Sequence, residues 1–438
     1  MMNISSRKIR TPLIPTLLLA IMQVAAFPLH AEQVEFRQAI DLALKHSGAM
    51  VAASADRARA AERYHAERDS YYPTVVFGSG LGYSVGIPVA IAGQAPSLFN
   101  LTHTQTLFNL AEQETLKALH SDSVAANIDY VDRSEQVILD TSIIYIELDN
   151  TVQRLNFAKQ QKDAVSHALF VAQQRQQEGI GSLLDTKRAQ LDSARVDLRI
   201  AELEGAVDIL RERLGRTLGR SPATLETVST SIPAAPELRA ETDVSAVAVA
   251  NSNTVRSAEE HVRGAKNRAR AEHKMKYPSI DFAGQYEELA SFNNYDQYYR
   301  RFTRHNYSFG INLRVPLFNL SQNAKAAAAD AEALRAEADA QAVRDQVATD
   351  AVRARHALRQ LDAAATVSRL EYELAQANID AVQLQVQNGK ASAQDQELAR
   401  ADIANRQVLL LQNQFEYLQA ELKLLRQIGE LRTWALGK

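Results

Sequence analysis

The amino-acid sequence predicts a mostly α chain with a small β part, built as long α-helical hairpins plus four antiparallel strands. Three observations predict it. Two long proline-free stretches have helix-forming composition, the segments before them alternate apolar and polar residues, and one half of the chain repeats the other. The 438 residues are 46% hydrophobic and 23% charged, with a formal net charge of -3 and no cysteine. The missing cysteine excludes disulfides, thiolate metal sites, cysteine nucleophiles and lipid attachment through an N-terminal cysteine. No basic run stands out, so no nucleic-acid partner is implied.

Residues 1–31 read as a cleavable signal peptide. Arg7, Lys8 and Arg10 precede an apolar stretch from Leu13 to Phe27, and Leu29-His30-Ala31 sets a small residue just before Glu32. A transmembrane anchor is the competing reading. The stretch is short for the ~20 apolar residues a span needs, however, and Pro15 and Gln23 interrupt it. Removing the segment takes the formal charge from -3 to -6 and leaves a mildly acidic exported chain.

After Pro28 the prolines fall only at 73, 88, 96, 222, 233, 236, 278 and 316, so 97–221 and 317–438 lack the residue that breaks helices. Both stretches are rich in Ala, Gln, Glu, Arg, Leu and Asp, the composition of long helices or coiled coil. Val124, Val131, Ile138, Tyr145 and Val152 recur every seven residues, and Val196, Ile200, Leu203, Val207, Leu210 and Leu214 step by four and three. Such stripes are packing seams for another helix. The pattern from Leu110 to Gln177 covers 68 residues. At ~1.5 Å per residue that is on the order of 100 Å, wider than a compact domain. Gly179-Ile180-Gly181 stops this helix and Ser182 caps the next, which runs to about Leu218. The result is a hairpin with its tip near 179–185.

The second half repeats the first. Tyr72-Pro73 and the residues after it match Tyr277-Pro278 at an offset of 205, and Phe108-Asn109-Leu110 matches Phe318-Asn319-Leu320 at 210. The turn residues Gly179, Ser182 and Asp185 match Gly389, Ser392 and Asp395, and Gly219 matches Gly429. One duplication therefore organises the chain: a first repeat over 32–219, a linker over 220–243, and a second repeat over 244–438 with its tip near 389–395.

Strands are expected about 74–86 and 98–108 in the first repeat and 279–288 and 305–317 in the second. In the last of these Tyr307, Phe309, Ile311, Leu313 and Val315 alternate with polar residues, arginine or glycine, which gives a strand one apolar face. Strands of about ten residues match a tilted crossing of a bilayer. Eleven of the 28 aromatic residues lie from Tyr277 to Phe318, including Tyr295, Tyr298, Tyr299 and Phe302 near the expected loop, as in an interfacial aromatic girdle. A small soluble hairpin packed on the helices is the alternative. Four strands cannot close a membrane barrel, for which about eight are needed, so strands in a membrane require oligomerisation.

The signal segment, the duplicated halves, the Tyr-Pro before each strand pair, the Phe-Asn-Leu leaving each pair and the Gly-x-x-Ser-x-x-Asp at each helical turn together resemble the TolC-like outer-membrane efflux and secretion channel family. The resemblance covers nearly all of the mature chain. It implies a homotrimer whose strands form one shared barrel in the outer membrane, continued by a helical tunnel into the periplasm. It implies a periplasmic adaptor (membrane fusion) protein and an inner-membrane transporter as partners, at the helical tips. By the same resemblance, Gly179, Ser182, Gly389, Lys390 and Ser392 belong to the adaptor-contacting tips. Asp395, with Asp185 as its counterpart, rings a pore constriction. Some family members carry an arginine and a second acid where this chain has Ala391 and Leu398; Lys390 and Glu397 are the nearest substitutes. Read from the residues alone, Ser182/Asp185 and Ser392/Asp395 are helix caps that complement the helix dipole.

Enzymatic readings find little support. Gly82-Tyr83-Ser84-Val85-Gly86 fits a nucleophile elbow but lies on a strand heading into a loop rather than between strand and helix. The ten histidines show no ligand spacing, there is no phosphate-binding glycine loop, and no cofactor or metal is implied. The leading expectation is a passive export duct, with a periplasmic or secreted coiled-coil scaffold as the alternative. Drug, metal and protein export are not distinguished.

Overall fold

The computed structural model describes residues 32–80, 97–222, 225–234, 243–289 and 305–437. The signal segment, positions 81–86 of the first expected strand, the Gly82–Gly86 motif, the aromatics Tyr295, Tyr298, Tyr299 and Phe302, and part of the linker lie outside the described residues. In chain order the first half contains β1 (Glu32–Val34), α1 (Phe36–His46), α2 (Gly48–Asp69), β2 (Thr74–Gly80), β3 (Ser97–Phe108), α3 (Leu110–Gln177) and α4 (Leu183–Leu218). After β4 (Leu225–Thr227) and a single 3-10 turn (Ser229–Ser231), the second half contains α5 (Val244–Asn251), α6 (Asn253–Lys274), β5 (Ser279–Leu289), β6 (His305–Arg314), α7 (Leu320–Gln387), α8 (Ala393–Ile428) and α9 (Leu431–Leu436).

The short polar motifs of the sequence become the joints between these elements. Ser47 and Ser252 each occupy the break between two helices, where their hydroxyls accept the N–H of Met50 at 3.3 Å and of Val255 at 3.2 Å. At the strand exits, Asn109 caps α3 by accepting from the N–H of Ala111 at 3.0 Å, and Asn319 caps α7 by accepting from that of Gln322 at 3.2 Å. Each cap satisfies backbone donors that the first helical turn leaves without partners. The two Phe-Asn-Leu motifs are thus strand end, cap and helix start.

The long helices pair as two antiparallel hairpins, α3 with α4 and α7 with α8. Their main core lies at the level of Tyr145, where α1, α3, α4, α8 and α9 converge. Tyr145 is fully buried; its hydroxyl donates to the Val34 carbonyl at 2.8 Å and accepts from the Val228 N–H at 2.8 Å. The Phe36 ring meets Tyr145 and Trp434 edge-on, with centroids 5.4 and 5.3 Å away. Nearby, Asp149 accepts from the hydroxyls of Ser229 at 2.6 Å and Thr227 at 3.1 Å. These bonds tie the described part of the linker, including β4 in parallel pairing with β1, to the side of α3.

The other four strands form one antiparallel sheet in the order β2-β3-β5-β6, so the two halves join through β3 and β5. The last strand ends at Arg314 rather than at 317. Arg314 pairs with Ser279, the first residue of β5, and Pro316 has no N–H to extend the ladder. The register segregates the two faces. Phe77, Leu101, Tyr286 and Tyr307 lie in one row across all four strands, and Val76, Thr102, Gln285 and Ser308 in the next row on the opposite face. Apart from Val76 and Ala283, the second face is polar or glycine over most of its length; the first is largely apolar and exposed.

Tyr145→Phe should leave the Val228 N–H and the Val34 carbonyl without partners in a buried setting. We expect a loss of about 1–3 kcal/mol, read as a lower thermal unfolding midpoint by circular dichroism, with the helical content at low temperature unchanged.

Candidate functional site: the hairpin tips and the strand sheet

The two tips are built by one device. The residue after each long helix is followed by a left-handed glycine, Gly179 at φ 75° and Gly389 at φ 69°. Gly179 N–H donates to the Gln176 carbonyl at 3.1 Å and Ile180 N–H to that of Arg175 at 3.0 Å. The second tip repeats this with Gly389 to Val386 at 3.0 Å and Lys390 to Gln385 at 2.8 Å. This is the Schellman arrangement, which satisfies the last carbonyls of a helix and requires a positive φ at the turn residue. Nothing lies within 4 Å of where a Cβ would stand on either glycine. The constraint is therefore the backbone angle, not space, and the surface above each turn is open.

Ser182 and Ser392 then start the returning helices. Ser182 accepts from the Leu184 N–H at 3.0 Å. Ser392 accepts from the Asp395 N–H at 3.2 Å, while the Asp395 carboxylate accepts from the Ser392 N–H at 2.9 Å and its hydroxyl at 2.7 Å. Only the second tip closes this reciprocal capping box. Asp185, in the matching position, is exposed and does not fold back on Ser182. The sequence shows the same Ser-x-x-Asp at both tips and gives no sign of the difference.

The remaining tip residues are placed as follows. Leu398 is exposed, Glu397 pairs with Arg400 one turn ahead at 2.8 Å, and Ala391 N–H reaches the Gln385 carbonyl at 3.3 Å. Asp185 and Asp395 sit on separate hairpins, and no hydrogen bond joins them among the described residues. A single copy of the chain thus presents Asp185 at one tip and Asp395 at the other. The sheet presents the complementary feature, an amphipathic surface whose outer strands β2 and β6 each have, among the described residues, one edge without a partner strand. Among the described residues no helix is long and apolar enough to cross a membrane, and no group of His, Asp and Glu is arranged to hold a metal ion.

The sequence pattern of the outer membrane efflux protein family matches residues 39–220 and 244–430, the two structural halves. The chain belongs to this family. Outer membrane protein TolC of Escherichia coli (strain K12) is 27% identical over 168 residues, which cover 37% of this chain and 34% of TolC. The TolC of Salmonella enteritidis matches equally. The match thus spans about a third of the length of these curated relatives. Solved structures extend the likeness of fold. The chain is similar to CusC with a TM-score of 0.75 at 15% identity, covering 90% of this chain and 92% of that one. It is similar to the outer membrane protein VceC of Vibrio cholerae with a TM-score of 0.72 at 15% identity, covering 90% and 96%. The CmeC outer membrane channel of Campylobacter jejuni gives 0.73 at 15% identity, covering 90% and 86%.

The bonds from Ser392, the backbone bond foremost, hold the Asp395 pKa below the ordinary carboxylate value. A depressed folded-state pKa contributes stability that is present above the unfolded-state value, about 3.9, and lost as pH falls through the lower folded value. The box should therefore stay closed from neutral pH down to the ordinary aspartate range. Hydrogen exchange of the first-turn amides of α8, corrected for intrinsic rate, should stay slow over that span. In Ser392→Ala the same amides should exchange faster at neutral pH.

Proposed function

We propose that this chain is the outer-membrane channel component of a tripartite efflux pump or type I secretion system, a passive export duct across the outer membrane and periplasm. The observation that carries this reading is the sheet: one face apolar and exposed, the other mostly polar, both edges open, at the end of helices 68 residues long. In lipid every backbone polar group needs a partner, so a four-stranded sheet enters a membrane only as part of a closed barrel. Three copies supply twelve strands, the number the family resemblance implies, with the apolar face toward lipid and the polar face toward the lumen. The barrel is reached after export by a cleavable signal, with the mature chain starting at Glu32.

The hairpins then extend into the periplasm and their tips meet an adaptor protein and an inner-membrane transporter, which supplies the energy. Gly179, Ser182, Gly389, Lys390 and Ser392 form the docking surface. Asp395, with Asp185 in support, lines the constriction. Carboxylates from several copies facing one another across a narrow opening reinforce each other's field and favour cations. The transporter selects the cargo.

Two measurements test this reading. In single-channel recordings the trimer should be cation-selective and blocked from the periplasmic side by divalent or trivalent cations. Asp395→Asn should weaken both effects and Asp185→Asn should weaken them less, since asparagine spares most of the capping role. Unchanged selectivity and block in an assembled Asp395→Asn trimer would reduce Asp395 to a cap. Gly389→Val forces a β-branched residue into a left-handed turn and should lower adaptor crosslinking while the trimer persists.

A further inference from the structure

Between α3 and α4 runs a groove of about 460 Å³, lined by Arg154 of α3, by Arg199 and Arg213 of α4, and by an apolar floor that includes the buried Leu203 and Leu210. That volume suits a small molecule. At about 100° per residue, Thr151 and Arg154 on the α3 side of the groove lie opposite Tyr145 and Asp149. Those two residues hold the linker, which therefore sits on the far side of α3 and leaves the groove uncovered.

Other cations of this hairpin find acids. Lys159 of α3 pairs with Glu204 of α4 at 2.9 Å, Lys162 pairs with Asp197, and Arg216 pairs with Glu212 at 2.6 Å. Arg154 and Arg199 do not. Glu147 and Glu202 line the same groove, yet among the described residues no ion pair or hydrogen bond reaches either guanidinium. The Nε of Arg154 is buried without a partner. Burial, and after it the charge of Arg199, lower the Arg154 pKa, and no acid opposes them. A partly buried guanidinium beside a second one is unfavourable unless an acceptor joins the two.

The hairpin fold does not require these charges. At the repeat offset of 210, α7 and α8 carry Ala364 and Leu409 where α3 and α4 carry Arg154 and Arg199, and Ala357 and Gln412 in place of Glu147 and Glu202. The second hairpin is nevertheless built of helices of the same 68 and 36 residues, paired in the same antiparallel way. The two arginines are thus an addition to the first half alone, made where packing is equally well served by alanine and leucine.

We propose that Arg154 and Arg199 form a binding site for a small oxyanion, a solute carrying a phosphate or carboxylate group. A guanidinium presents its N–H donors in a planar fork that matches two oxygens of such a group. An oxyanion between the two side chains gives the Arg154 Nε an acceptor and replaces repulsion by attraction, and the leucine floor keeps water from one side of the contact, where charges act more strongly. The site lies about 37 Å from Gly179 along α3, well away from the hairpin tips. It is complete within one hairpin of one copy, so it stands apart from the channel reading.

Calorimetric titration of the detergent-solubilised protein with inorganic phosphate, and separately with succinate, at constant ionic strength in chloride tests the site. At least one probe should bind saturably with one site per chain, and the tighter of the two identifies the group recognised. Arg154→Met and Arg199→Met should each weaken binding roughly tenfold or more, whereas Arg188→Met, exposed on α4 outside the groove, should leave it unchanged. Arg199→Glu sets an acid against Arg154. It should abolish binding and raise the thermal unfolding midpoint in chloride, which a variant that merely folds poorly would lower. Saturable binding of neither probe, binding that survives Arg199→Glu, equal weakening by Arg188→Met, or a lowered midpoint in Arg199→Glu would overturn the proposal. A carboxylate of a neighbouring copy seated on Arg154 in the assembled particle would overturn it as well.

Discussion

Backbone hydrogen bonding in hydrocarbon is the constraint on which the rest of this structure depends. An N–H or C=O left without a partner in lipid costs several kcal/mol, and a four-stranded sheet has two rows of them at its edges. In water such edges are a hazard for uncontrolled pairing, which proteins blunt with charge, proline or cover. Here β2 and β6 carry Val75, Phe77, Phe309 and Ile311 instead, all exposed. The apolar side chains and the edge strands belong to one sheet, and the proposed channel reading makes that sheet a segment of something larger than one chain.

The helices answer a different demand, that of length. A helix of 68 residues cannot be buried within one compact domain, so it is stabilised along its length by a hairpin partner and by neighbouring helices. The core is correspondingly uneven. It is thick where Tyr145, Phe36 and Trp434 bring five helices and the linker together, and it thins toward the tips, where exposed leucines such as Leu184, Leu191 and Leu198 follow one another at heptad spacing. The Tyr145 hydroxyl, by joining β1 to the segment after β4, anchors a connection between halves that strands of three residues could not hold alone.

At the tips the chemistry is backbone chemistry first. A left-handed glycine ends one helix and a serine starts the next, which leaves each turn tight and open to solvent. The asymmetry lies in the acid. Asp395 is held back on Ser392 by two hydrogen bonds, while Asp185 is free of that embrace. A carboxylate fixed by its own cap keeps its charge and its position, which is what the proposed ring of like charges would need from each copy. The same bonds make Asp395 a helix-capping residue, so the proposed constriction role would fall on a side chain that also holds the turn.

Much of this was written in local sequence. Proline-free stretches and a heptad stripe determined α3 and α4, because helical periodicity is a property of neighbouring residues. Alternation determined the strands for the same reason, and glycine followed by serine determined the turns. The Phe-Asn-Leu repeats were legible as a repeat, but their asparagines were missed as helix caps although a cap residue ahead of a helical run was there to be read. Other features were beyond local reading. The β1–β4 pair joins three-residue strands too short to show a period, and it is braced by Tyr145, a residue in neither strand. The end of β6 at Arg314 was set by where its partner β5 begins. The order β2-β3-β5-β6, and with it which two edges stay open, came from how the halves pack, since a repeat in sequence specifies what each half is and not which strand of one meets which strand of the other.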